Sequence, residues 1–128
     1  MALEIECCNH IALETRRLDE SIRFYIDVLG AKEISRPAFP FRGAWLYLGG
    51  IQIHLIDEGA PEGRHAINTR TNHFACVVPD VDEAEQRLNK MGIVYKRNLI
   101  ADRGIHQLFF QDPDGHTIEV GRYGIIDQ

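Results

Sequence analysis

His10, His54, His73 and Glu119 are the side chains whose types and placement suit one shared chemistry. Imidazole nitrogens and a carboxylate bind divalent cations such as Ni²⁺, Zn²⁺, Fe²⁺, Mn²⁺ or Co²⁺, and the 2-His-1-carboxylate subset His10, His73 and Glu119 would leave coordination positions open. Through open positions a cation polarises substrate oxygens as a Lewis acid. A strand histidine alone is more often structural than ligating. These four stand out because they occupy equivalent positions in a repeated sequence, on one predicted strand face, where burial without a cation or water would be costly.

The repeat is direct. Asn9-His10-Ile11-Ala12 returns as Asn72-His73-Phe74-Ala75, 63 residues later. Asp19-Glu20 returns as Asp82-Glu83 at the same offset, and Leu29-Gly30 as Met91-Gly92 at 62. The run Trp45-Leu46-Tyr47-Leu48 aligns with Leu108-Phe109-Phe110-Gln111, and a second turn two residues longer than Gly49-Gly50 raises the offset to 65, setting His54 against Glu119. Internal similarity of this kind governs the fold and is weighed before individual elements.

Each half reads as strand, helix and three strands. In the first half the strands fall at 7–13, 32–36, 44–48 and 51–56. Its helix, 15–29, carries Leu18, Ile22, Tyr25 and Leu29 at helical spacing, with Gly30 as its cap. The second half has a strand at His73, a helix at about 81–91 ending at Gly92, and strands at 96–99, 106–111 and 117–121, the last two joined by Asp-Pro-Asp-Gly. The expected fold class is α+β, two βαβββ modules at about 5–57 and 70–123 forming a metal-containing cleft within a single domain, 1–128. Residues 57–71 read as a linker, long enough to be functional or to let the halves pair with another copy.

Strand parity assigns faces. Ile11 and Leu13 point to a helix-covered core, and His10 and Ala12 away from it. Phe74 and Cys76 oppose His73 and Ala75 in the same way. Gln52 and His54 oppose Ile51, Ile53 and Leu55, while Thr117 and Glu119 oppose Ile118 and Val120. The same counting, carried across the repeat, puts Trp45 and Tyr47 on the ligand face with His106, Leu108 and Phe110 as walls of a substrate pocket. Arg42 and Arg103 precede equivalent strands and suit a substrate carboxylate.

The whole-chain numbers fit a small soluble protein. At 128 residues and 14.6 kDa, with 45% hydrophobic and 26% charged residues, one packed domain is expected. A formal charge of −5, without a basic block, argues against a nucleic-acid partner. Short apolar runs and the N-terminal Met-Ala-Leu-Glu-Ile-Glu argue against a membrane span or a signal peptide, so a cytoplasmic location is expected. Cys7, Cys8 and Cys76, odd in number and two of them adjacent, are expected to be reduced.

In order along the chain, Asn9-His10-Ile11-Ala12, Ser21-Ile22-Arg23-Phe24-Tyr25 with Val28-Leu29-Gly30, Asn72-His73-Phe74, and Asp112-Pro113-Asp114-Gly115-His116-Thr117-Ile118-Glu119 resemble the vicinal oxygen chelate superfamily. That group includes glyoxalase I, fosfomycin-resistance thiol transferases, extradiol dioxygenases, methylmalonyl-CoA epimerase and bleomycin-resistance proteins. The segments 41–46 and 51–56 are most similar to its small single-domain glyoxalase I-like members. The resemblance implies paired βαβββ modules, a divalent metal on His10, His54, His73 and Glu119, and Glu119 as the catalytic base. It also implies a homodimer and a small substrate chelating through two neighbouring oxygens, such as a glutathione hemithioacetal. In glyoxalase I the position matched by His54 is usually Glu and in the epimerase Gln, and Gln52 shares its face. The expected activity is that of a lactoylglutathione lyase-like lyase or isomerase. A thiol transferase, an extradiol-type dioxygenase and a non-catalytic drug binder of the bleomycin-resistance kind are the alternatives.

Overall fold

The computed structural model describes residues 1–124, in two compact units, Met1–Pro61 and a second beginning at Glu62. Each unit is a four-stranded mixed sheet with one helix, the α+β pattern expected of a βαβββ module. No helix among the described residues is long and apolar enough to cross a membrane.

The first unit runs β1 (His10–Glu14), α1 (Leu18–Asp27), β2 (Lys32–Ile34), β3 (Gly43–Leu48) and β4 (Ile51–Ile56), with sheet order β1-β4-β3-β2. β1 starts at His10 rather than at Cys7 because its parallel partner β4 starts at Ile51, level with Asn9, so earlier residues have no ladder to join. α1 starts at Leu18 rather than at Thr15 because Thr15 still belongs to the sheet edge. Its N–H donates to the Ile56 carbonyl (2.9 Å), and its hydroxyl accepts from the Arg17 N–H (3.0 Å). Leu18, Phe24 and Tyr25 of α1 bury against Ala44, Leu46, Ile53 and Leu55, one face of β3 and β4.

The second unit repeats this with β5 (His73–Val77), α2 (Val81–Lys90), β6 (Lys96–Ile100), a 3-10 turn (Ala101–Arg103), β7 (Ile105–Gln111) and β8 (Thr117–Tyr123), ordered β5-β8-β7-β6. The Asp80 carboxylate caps α2 by accepting from the Glu83 N–H (3.1 Å). Val81 and Leu88 bury against Leu108, Phe110, Ile118 and Val120.

In both units the first and last strands lie side by side, although about 40 residues of chain separate them. Registers Ala12↔His54 and Ala75↔Glu119 therefore put small side chains beside the polar ones on the face away from the helix. The β7–β8 turn sets the second register. Asp112, fully buried, accepts from the Asp114 and His116 N–H groups (both 2.9 Å). Gly115 has φ +90°, and a Cβ there would lie 2.1 Å from the Gly63 carbonyl oxygen, so only glycine both makes the turn and admits the loop beneath it.

Asp112→Ala would leave two turn N–H groups without their acceptor. We expect a stability loss of about 1–3 kcal/mol in urea unfolding, with a smaller loss for Asp112→Asn and almost none for the exposed Asp102→Ala.

Candidate metal centre

The open face of each sheet carries half of the expected ligand set. In the first unit, His54 sits on the inner strand β4 between His10 of edge strand β1 and Trp45 of β3. Its ring is sandwiched, with the His10 ring 3.9 Å away at 16° and the Trp45 ring 4.2 Å away at 4°. Its Nε2–H donates to the Gln52 side-chain oxygen (2.8 Å), which leaves Nδ1 with the lone pair. Gln52 therefore positions His54, and its oxygen is already engaged.

Burial, then the neighbouring charges of His10 and Arg36, hold the His54 pKa below its ordinary 6.5. The ring is neutral at neutral pH, the state a metal ligand requires. His10 donates its Nδ1–H to the Asn9 side-chain oxygen (2.8 Å), leaving Nε2 as the lone-pair nitrogen.

The second unit uses the same device. His73 on β5 donates its Nδ1–H to the Thr71 carbonyl (2.7 Å), so Nε2 is the nitrogen facing Glu119 Oε1 at 3.1 Å. Glu119 is only 3% exposed. Its other oxygen, Oε2, accepts from the Gln107 amide (2.9 Å), and Gln107 accepts in turn from Asn98 (2.6 Å). Phe109 packs edge-on to His73 with ring centroids 5.7 Å apart. A nitrogen and a carboxylate oxygen at this distance share a positive charge, which a proton on Nε2 or a divalent cation in its place can supply. In a divalent site, histidines are typically fixed through their second nitrogen, as His10 and His73 are here. These two observations are the fit of the residues to a metal.

The ladder corrects part of the sequence reading. His106 and Phe110 are not on the ligand face. Phe109 lies opposite Glu119 and Gln107 opposite Gly121, so the ligand face of β7 carries Gln107, Phe109 and Gln111. The Trp45 equivalent is Phe109, an offset of 64 rather than 63, and a slip of one residue reverses every side chain of a strand. Leu108 and Phe110 belong to the core under α2, and His106 gathers with Asp82 and Glu85 of α2, their ligand atoms within 4.8 Å of one another. In that cluster Glu85 accepts from the Tyr95 hydroxyl (2.7 Å) and lies 3.6 Å from Arg97. Trp45 and Tyr47 are where parity put them, opposite His54 and Gln52.

Arg42 is committed elsewhere, 3.5 Å from Asp57 and 3.8 Å from Asp19, and Arg103 is exposed on the 3-10 turn. The sequence reading passed over three residues: Gln107, Asn9 and Arg36. Correct parity would have found Gln107. Asn9 immediately precedes His10, and Arg36 was read as the end of a 32–36 strand, whereas β2 stops at Ile34 and leaves Arg36 in the segment before β3.

The profile of the Glyoxalase/Bleomycin resistance protein/Dioxygenase superfamily matches residues 8–120. A relative in Arabidopsis thaliana, Glyoxylase I 4, is 42% identical over 124 residues, covering 92% of this chain and 71% of its own length. Metallothiol transferase FosB of Lysinibacillus sphaericus is 29% identical, covering 91% and 82%. Among solved structures, a mutant of the fosfomycin resistance protein FosX of Listeria monocytogenes, complexed with Mn(II) and 1S,2S-dihydroxypropylphosphonic acid, has a TM-score of 0.79 at 21% identity over 97% of this chain and 96% of that one.

The lowered His54 pKa has a consequence for the metal-free protein. Well above pH 6.5 neither the folded nor the unfolded ring is charged. As pH falls below that value the unfolded chain takes up the proton first, so stability drops until the folded ring also titrates. Urea midpoints measured across this range should fall less steeply for His54→Gln than for the wild type.

Proposed function

Because the chain belongs to the Glyoxalase/Bleomycin resistance protein/Dioxygenase superfamily, we propose that it is a metal-dependent enzyme of the glyoxalase I type. Its substrate would be a small molecule presenting two neighbouring oxygens, such as the hemithioacetal of a 2-oxoaldehyde and glutathione. The observation that carries this reading is the His73–Glu119 pair, a buried carboxylate facing a histidine nitrogen whose tautomer is already fixed.

In this proposal His10 and His54 of a first module and His73 and Glu119 of a second hold the cation. Bound there, it supplies Lewis-acid polarisation of the two substrate oxygens. The residues of the chain do the rest. Glu119, detached or only loosely held at the cation, takes the proton from the substrate carbon beside the carbonyl and returns it to the adjacent carbon. Gln107, donating to Oε2, keeps that carboxylate aimed while its protonation changes. Trp45 and Phe109, the aromatic residues at equivalent positions, brace His54 and His73 and keep water from those sides. The edge strands β1 and β5 are free on one side within their own units, and a homodimer is our reading of the working assembly.

Glu119→Gln keeps the size and one oxygen of the side chain but cannot accept the proton. With metal content checked by elemental analysis after Ni²⁺ or Zn²⁺ reconstitution, kcat on the methylglyoxal–glutathione hemithioacetal should fall about 10²–10⁴-fold while bound metal persists. Wild-type kcat in this variant would remove Glu119 from the role. Turnover of fosfomycin with a thiol, and none of the hemithioacetal, would instead favour the transferase relatives.

A further inference from the structure

Beside His10 and His54 lies a pocket of about 510 Å³, contained within the first unit. Part of its wall comes from the segment between β2 and β3, where Pro37 and Pro40 disfavour regular strand pairing and Arg36 is followed by Phe39 and Phe41. The Arg36 guanidinium carbon stands 5.0 Å from the Phe39 ring centroid and 4.9 Å from that of Phe41. The two phenyl rings stack on each other (5.2 Å, 10°), and Phe39 leans on Trp45 at 6.1 Å.

One edge of the guanidinium is seated on backbone. Nη2 donates to the Phe41 carbonyl (2.9 Å). A Cβ at Gly43 would fall 3.2 Å from Nη2, 3.3 Å from Nε and 2.5 Å from the Leu55 carbonyl oxygen, so the glycine makes the space this seat requires. Arg16, Arg42, Arg87 and Arg97 each have a carboxylate within ion-pair distance, whereas among the described residues Arg36 pairs with none. Nor do any of the described residues lining the pocket carry an acidic side chain. Phe39 and Phe41 remain 41% and 42% exposed, an apolar surface next to a cation that is held in place without a counter-ion.

We propose that Arg36, with Phe39, Phe41 and Trp45, is a recognition site for a carboxylate on an apolar or aromatic arm of the substrate, and that it determines which oxygen-chelating molecules reach His10 and His54. A guanidinium matches a carboxylate in shape and charge, and bonds between ionised groups are roughly twice as strong as neutral ones. The aromatic faces hold the cation by its π contacts and present their outer surfaces to the apolar part of the ligand. The proposal rests on the reading of this face as the substrate face, but it is separable from the metal.

Trp45 is the sole tryptophan of the chain and lines this pocket, so its emission reports on occupancy. The full chain is titrated with 3-phenylpropionate and with 3-phenylpropionamide, with and without excess EDTA. The acid should shift Trp45 emission saturably and bind about tenfold more tightly than the amide, a difference of about 1.4 kcal/mol, whether or not the chelator is present. Arg36→Met should abolish the preference, and Arg36→Lys should keep part of it. Because the readout is a ratio of two ligands on one protein, a general loosening of the loop does not mimic it. Equal binding of acid and amide, no saturable change with either, a preference lost on adding EDTA, or a preference kept in Arg36→Met would each overturn the proposal. Failure of the metal reading would appear separately, as absent metal or unchanged Glu119→Gln turnover, with acid selectivity intact.

Discussion

A carboxylate oxygen and an imidazole nitrogen 3.1 Å apart, on adjacent parallel strands, are the constraint around which the second module is arranged. The two atoms are held together by a positive charge between them, a proton or a metal cation. The structure commits every other polar atom of the pair: His73 Nδ1 to a backbone carbonyl, and Glu119 Oε2 to Gln107 and through it to Asn98. Only the facing atoms are left to share a positive charge. The first module reaches an equivalent state by other means. Burial, then the neighbouring charges of His10 and Arg36, keep His54 neutral, and Gln52 and Asn9 fix which nitrogens of His54 and His10 remain basic.

Electrostatics divides the first module into two kinds of arginine. Arg16 and Arg42 are already neutralised by neighbouring carboxylates, Arg16 by Asp57 and Arg42 by Asp57 and Asp19. Arg36 is instead supported by aromatic faces and one carbonyl, and its charge contributes to keeping His54 unprotonated. The positive charge that favours an anionic ligand thus also favours the basic form of the ring beside it. Recognition and ligand chemistry act in the same direction.

Much of this was legible in the sequence, because duplication and alternation are signals that a single chain carries. The two modules, their element order, the 51–56 strand and the faces of His10, His54, His73 and Glu119 all follow from period two and a repeat near 63 residues. The face of β7 did not. Leu108, Phe109 and Phe110 are all apolar, and a run without alternation gives no internal clue to parity, so His106 and Phe110 were put on the wrong side. Element ends were misplaced where tertiary partners decide them, as at Thr15, whose backbone stays with the sheet. Arg42 was singled out by its place before a strand, whereas in the fold it lies within ion-pair distance of Asp57, 15 residues downstream.

The pairing of the opening and closing strands of each module separates the durable part of this protein from its adaptable part. The side chains of the candidate site stand on those paired strands, and the 35–42 stretch takes no part in the ladders. Substitutions there can exchange one class of guest molecule for another while the side chains on the paired strands keep their places. A lineage built on this plan can diversify its menu without reinventing its chemistry.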